Sequence, residues 1–181
     1  PLDRKVDRLS EIPGDHRFEK MVGGRYLGEI FSHFARVYYE VPSLKACTAE
    51  DMSHFIGLGS TKERQLFLGH LWQRIVREHE VQIFKMIAES LFVRSAQLAG
   101  GACAGILYHL YPQGSMPEQF IAVEGSIMEK VVGSMPVFET SLLDCIAVDE
   151  QGWVRPVPVH SGLVQDGPSV GAAVAAAMVG E

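Results

Sequence analysis

Three short runs hold residue types whose spacing could do chemistry. The first is Phe18-Glu19-Lys20-Met21-Val22-Gly23-Gly24-Arg25. Glu19 lies where a helical pattern begins, and a carboxylate there gains about 0.3–1 kcal/mol from the helix dipole. That alone accounts for an acid at this position. The Gly-Gly-Arg that follows is unusual inside a helix: glycine lets a ligand approach the backbone, and arginine is a cation suited to phosphate. The second run is Val123-Glu124-Gly125-Ser126, directly after a strand pattern. The third is Asp166-Gly167-Pro168-Ser169-Val170-Gly171-Ala172-Ala173, directly before a helical one. Small residues at the end of a strand and at a helix N-terminus form an anion or nucleotide surface. Such turns occur in any α/β protein, so none of the three is specific by itself.

Other chemistries find no support. The seven histidines are scattered, without HExxH and without a cysteine at ligand spacing, and His70 and His79 read as surface or half-buried residues. There is no GxSxG and no Walker loop. Arg64, Arg74 and Arg77, interleaved with Glu63 and Glu78, read as a solvated helix face. Cys47, Cys103 and Cys145 are odd in number and far apart, which fits reduced thiols and a cytoplasmic setting. A net charge of −6 disfavours a nucleic-acid partner. No apolar run reaches the ~18–20 residues of a membrane helix, the longest candidate being Val170–Val179.

The elements that must position these runs follow from periodicity. At 47% hydrophobic and 21% charged residues, a chain of 181 residues is the size of one ordinary domain. Residues 1–17 are a polar lead-in with a turn at Pro13-Gly14, and Asp15 can cap the helix that follows. From Val22 to Tyr38 apolar residues recur every three or four positions, predicting one helix that Pro42 ends. Ser60 and Glu63 form a capping-box pattern ahead of a helix carrying Leu66 to Val76. A wide apolar stripe from about Glu80 to Leu110 predicts a buried helix. It contains Gly100, Gly101 and Gly105, each costing about 1 kcal/mol relative to alanine, so close helix–sheet packing is expected there. Thereafter the pattern changes to strand–turn–helix units: a strand at Phe120–Val123, a helix at Pro136–Ile146, a turn at Asp149–Gly152, an irregular strand at Trp153–His160, and an Ala-rich helix at Val170–Val179. The class is α/β, helix-rich, with a sheet far short of the usual ~5–6 strands. The short sheet and the initial Pro1 both suggest a piece of something longer.

Taken in order, the runs resemble the hexokinase family. Asp3-Arg4-Lys5-Val6-Asp7-Arg8-Leu9-Ser10, Pro13-Gly14 and Phe18-Glu19-Lys20-Met21 through Tyr26-Leu27-Gly28-Glu29-Ile30 carry the most specific part. Val93-Arg94-Ser95-Ala96-Gln97-Leu98-Ala99 resembles that family's R-[AS]-A-x-L helix. Val123-Glu124-Gly125-Ser126 resembles its adenosine motif, and Gly171-Ala172-Ala173 its closing helix. Two positions depart from the pattern: Glu124 stands for the usual aspartate and Glu129 for a lysine. The family's Thr/Ser phosphate segment falls near Thr48 or Ser53.

The resemblance implies a ribonuclease H-like, actin-like ATPase subdomain, with residues 1–181 forming the C-terminal part of a hexokinase large lobe (18–110 mainly helical, 111–181 strand–turn–helix). It implies ATP-dependent phosphorylation of a hexose such as glucose at the 6-hydroxyl, with Mg²⁺ on the nucleotide. By similarity Glu19 accepts hydrogen bonds from the hexose, Gly24 and Arg25 lie near the nucleotide phosphates, and Gly125 and Ser126 line its adenine–ribose side. No residue matches the catalytic aspartate, which is expected upstream of Pro1 in the missing N-terminal half. The isolated chain is therefore expected to be inactive. A non-catalytic nucleotide- or sugar-binding or interaction module with this half of the fold is the alternative.

Overall fold

A computed structural model of the chain describes residues 2–112, 116–147 and 158–179. It divides into two compact units, Pro1–Ser95 and Ala96–Glu181.

The first unit is helical. α1 (Leu2–Leu9) has Asp3 in its first turn and Arg8 in its last, matching the helix dipole, and buries Val6. The polar lead-in, for which no element was expected before the Pro13-Gly14 turn, is therefore a helix for half its length; a single buried valine among charges leaves no apolar period to read. α2 (Arg17–Val22) and α3 (Gly24–Tyr39) occupy the stretch expected to be one helix. The break falls at Gly23, whose backbone is extended (φ −72°, ψ 135°). Asp15 does not cap α2. That place belongs to His16, left-handed at φ 50° and without a side-chain cap. α3 ends at left-handed Glu40, two residues before Pro42.

α4 (Ala49–Gly57) and α5 (Thr61–Trp72) both open with reciprocal capping boxes, Thr48 with Asp51 and Ser60 with Glu63. The second was expected. The first was not, and it commits Thr48 to a cap. α5 stops at left-handed Gln73, short of Ile75 and Val76. Arg64 is not on a solvated face: it donates to the carbonyls of Phe55, Ile56 and Leu58, closing the C-terminus of α4. Arg74 likewise lies over the Tyr39 ring, 3.5 Å from its centroid.

α6 (Glu78–Leu110) begins in this unit. Its Val81, Phe84 and Ala88 join Leu27, Ile30 and Phe31 of α3 and Phe55 of α4 in the core. Fully burying a side chain such as Phe31 or Phe84 contributes about 1.5–3 kcal/mol. By length and composition α6 could cross a membrane, contrary to the expectation that no segment could. Val81, Phe84, Ala88, Phe92 and Ala96 on it are nonetheless buried.

The second unit contains the rest of α6, then β1 (Gln119–Val123), α7 (Ser126–Lys130), α8 (Ser134–Ile146), β2 (Val159–Leu163) and α9 (Gly167–Val179). β1 and β2 pair in parallel, Gln119 opposite Val159 and Val123 opposite Leu163. Ala96, Ala104, Leu107, Val123, Phe138, Leu142 and Val159 form the core. The close packing expected at Gly100 is real, but its partner is a helix rather than a sheet. A Cβ there would lie 2.5 Å from the Phe138 carbonyl and 2.9 Å from the Leu142 nitrogen, both on α8. Ser141 Oγ and Tyr108 Oη brace the same pair, donating to the Gln97 and Cys145 carbonyls at 2.9 Å. Of the expected Trp153–His160 strand only the end is seen, and β2 runs on to Leu163. Residues 153–157 and the Asp149–Gly152 turn lie outside the described residues.

Candidate functional site

In the first unit the candidate site is the junction between α2 and α3. The Gly23 N–H donates to the Glu19 carbonyl at 2.6 Å, ending α2, and the Gly23 carbonyl accepts from Tyr26 and Leu27 to start α3. A Cβ on Gly23 would sit 2.9 Å from the Glu19 carbonyl, so the tight reversal needs a glycine. The final carbonyls of a helix have no partner within it. Here α6 supplies them: Arg94 Nη2 donates to Met21 O at 3.4 Å and Ser95 Oγ to Val22 O at 2.7 Å. Arg94 is itself paired with Asp3 at 2.8 Å.

The opposite side of α2 is fixed by Lys20. This side chain is 5% exposed, and its ammonium donates to Asp7 Oδ1 at 2.7 Å and to the Ile12 carbonyl at 2.6 Å. Lys20 and the Gly14 N–H together hold the Asp7 carboxyl below its ordinary range. Glu19 faces away from these anchors. Its carboxylate lies 3.7 Å from His16 Nδ1, with both side chains 65% exposed. The result is an accessible carboxylate on an immobilised backbone, with two acceptor oxygens suited to a pair of hydroxyls.

Gly24 and Arg25 stand at the same junction as Glu19. Gly24 opens α3. Arg25 bonds Glu11 at 2.8 Å and lies 3.5 Å from Glu29. Its guanidinium lowers the Glu11 pKa. Arg25 would reach a phosphate only by leaving these carboxylates.

In the second unit, parallel pairing sets the C-terminal ends of β1 and β2 side by side. The Val164 N–H donates to Val123 O at 3.0 Å. In open α/β sheets the crevice beyond the carboxyl ends of the strands is where ligands bind. Gly125 turns the chain there with φ 135°, a conformation that favours glycine, and a Cβ on it would meet nothing within 4 Å. Ser126 is exposed at the start of α7. Two carboxylates share this turn. Glu124 Oε2 is 2.9 Å from where a Gly167 Cβ would stand, at the start of α9, and Glu129 Oε1 accepts from the Gly125 N–H at 3.5 Å. Among the described residues no cluster of His, Cys, Asp or Glu could hold a metal ion.

Several positioning residues fall inside the runs that carry the resemblance, but nothing in those runs gives their role. Lys20 with Asp7, and Ser95 with Val22, are pairs of long separation, visible only once the helices are assembled.

The hexokinase family model matches residues 1–178. The chain belongs to the hexokinase family. Two hexokinases from Oryza sativa subsp. japonica match almost all of it: Hexokinase-5 is 26% identical over 201 residues and Hexokinase-7 is 29% identical over 202. Each alignment spans 97% of this chain, but only 38% and 40% of the respective rice hexokinase. A crystal structure of a hexokinase superposes with a TM-score of 0.75 at 18% identity, covering 92% of this chain and 38% of that one. The Schistosoma mansoni hexokinase complexed with glucose superposes with a TM-score of 0.70 at 19% identity, covering 90% of this chain and 37% of that one. These superpositions bear out the expected actin-like ATPase subdomain with a partial sheet.

Proposed function

We propose that this chain is part of an ATP-dependent hexose kinase, in which Glu19 binds the sugar and the Gly125–Ser126 turn lines the nucleotide. The observation that carries the reading is the carboxylate of Glu19, open to solvent on a backbone fixed from both sides by Lys20 and Ser95. A carboxylate accepting from two hydroxyls discriminates strongly against a sugar that lacks one, because the unmatched acceptor is left without a partner. Positioning is most of what phosphoryl transfer asks of a protein. ATP with Mg²⁺ is the co-substrate in this reading, the metal carried on the nucleotide. The base that takes the 6-hydroxyl proton is not assigned to any residue of this chain, so the isolated chain does not turn over glucose.

The second reading is a non-catalytic module of the same fold. Glu124 and Glu129 favour it, because two carboxylates on the Gly125 turn repel a nucleotide phosphate. One experiment separates the two. Glu19→Gln, placed in the complete polypeptide, lowers kcat/KM for glucose at least ~10-fold, the scale of a lost charged hydrogen bond. An unchanged kcat/KM removes Glu19 from the site. A complete polypeptide without measurable turnover, before any substitution, selects the module.

A further inference from the structure

A second polar feature of the first unit lies between α1 and α2. An open cleft of about 480 Å³ is lined by Arg4, Arg8, Arg17 and Lys20 together with Asp3 and Asp7. Its two acids are already engaged. Asp7 accepts from Lys20 and from the Gly14 N–H, and Asp3 is paired with Arg94. Lys20 is used up by Asp7 and the Ile12 carbonyl. Three guanidiniums are left. Arg4 and Arg8 make no hydrogen bond or ion pair with any described residue. Arg17 spends only its Nε, on the Gly14 carbonyl at 3.0 Å.

Arg4 and Arg8 stand one helical turn apart, on the same face of α1. Like charges at this spacing destabilise a helix, and α1 has only eight residues. An anion between them removes the repulsion. Glu19 is not among the residues that line the cleft. The chain as a whole is acidic, so this excess of positive charge is local. Planar guanidiniums pair with phosphate oxygens through two parallel hydrogen bonds, which a lysine cannot do. The cleft also falls within the volume range of small-molecule sites.

We propose that this cleft binds a small phosphate-bearing anion through Arg4, Arg8 and Arg17. The test is calorimetric titration of the full chain with inorganic pyrophosphate, with folding verified by circular dichroism. The wild-type chain gives a saturable isotherm. Arg4→Gln with Arg8→Gln weakens it at least ~10-fold, and Arg4→Lys with Arg8→Lys weakens it measurably although the charge is kept. Lys62→Gln, on an exposed position of α5, leaves it unchanged. If the double variant loses its helical signal, Arg17→Gln serves in its place and weakens binding severalfold. No saturable heat from the folded wild-type chain, or equal affinity in the glutamine variants, overturns the proposal. Binding of an oligoglutamate peptide with none of pyrophosphate also overturns it and assigns the cleft to an acidic protein segment.

Discussion

Ser95 of α6 donates its hydroxyl to the Val22 carbonyl at 2.7 Å, tying the end of α2 to a helix 73 residues further along the chain. Ser95 is 2% exposed, so water cannot replace it. Ser95→Ala leaves a carbonyl without a partner and costs about 1–3 kcal/mol. Chemical denaturation reads this directly. In the complete polypeptide the KM for hexose rises with it, because the backbone of Glu19 loses an anchor. Unchanged stability would mean that Val22 finds another donor.

Lys20 and Asp7 give the first unit a dependence on acid. The folded Asp7 carboxyl titrates below its ordinary value of 3.8, owing first to the Lys20 hydrogen bond and then to the Gly14 N–H. A depressed folded pKa contributes stability that is present above the unfolded value and is lost as pH falls through the folded one. The melting temperature should therefore fall below about pH 4 more steeply in the wild type than in Asp7→Asn. Lys20→Met, which leaves the Asp7 carboxylate with the Gly14 N–H alone, lowers the melting temperature at neutral pH.

The glycines of α6 are not equivalent. Gly100→Ala drives a methyl group into α8 backbone at 2.5 Å and destabilises by about 1–3 kcal/mol. Gly105→Ala meets nothing within 4 Å and stabilises by about 0.5–1 kcal/mol. Opposite signs from one chemical change, read by thermal denaturation, test the packing of α6 on α8.

Glu129→Lys replaces one of the two carboxylates on the Gly125 turn with a cation. In the complete polypeptide it should tighten nucleotide binding about 2–5-fold, the scale of a single exposed charge. Calorimetry with ATP decides this. Weaker binding would show that the Gly125 N–H depends on Glu129 to hold the turn.

What the sequence discloses is what local chemistry decides. The Ser60–Glu63 capping box, the long stripe of α6 and the strand ending at Val123 need only neighbours along the chain, and they were legible. Gly23 was not read as a break, because apolar periodicity continues through it while its backbone turns extended. Arg64 read as a surface charge because its partners are carbonyls of another helix, and a carbonyl has no letter in the sequence. At the candidate site Glu19 was singled out by resemblance, and the structure leaves its carboxylate exposed beside His16. The roles of its supports Lys20, Arg94 and Ser95 were not legible, since they come from distant chain segments. Arg25, expected near phosphate, is paired with Glu11 and Glu29, and neither partner could be read from its spacing in the sequence.

The parallel pairing of β1 with β2 also governs how the chain can fold. Gln119 meets Val159 across forty residues, and no hairpin can bring them together. The helices around α4 and α5 start from caps three residues apart and can form within microseconds. Loop closure makes the sheet the slow event. Among the described residues the strand Gln119–Val123 pairs with Val159–Leu163, so during synthesis on the ribosome that pairing waits until Leu163 has left the exit tunnel, an interval in which the strand is open to aggregation and to chaperone capture.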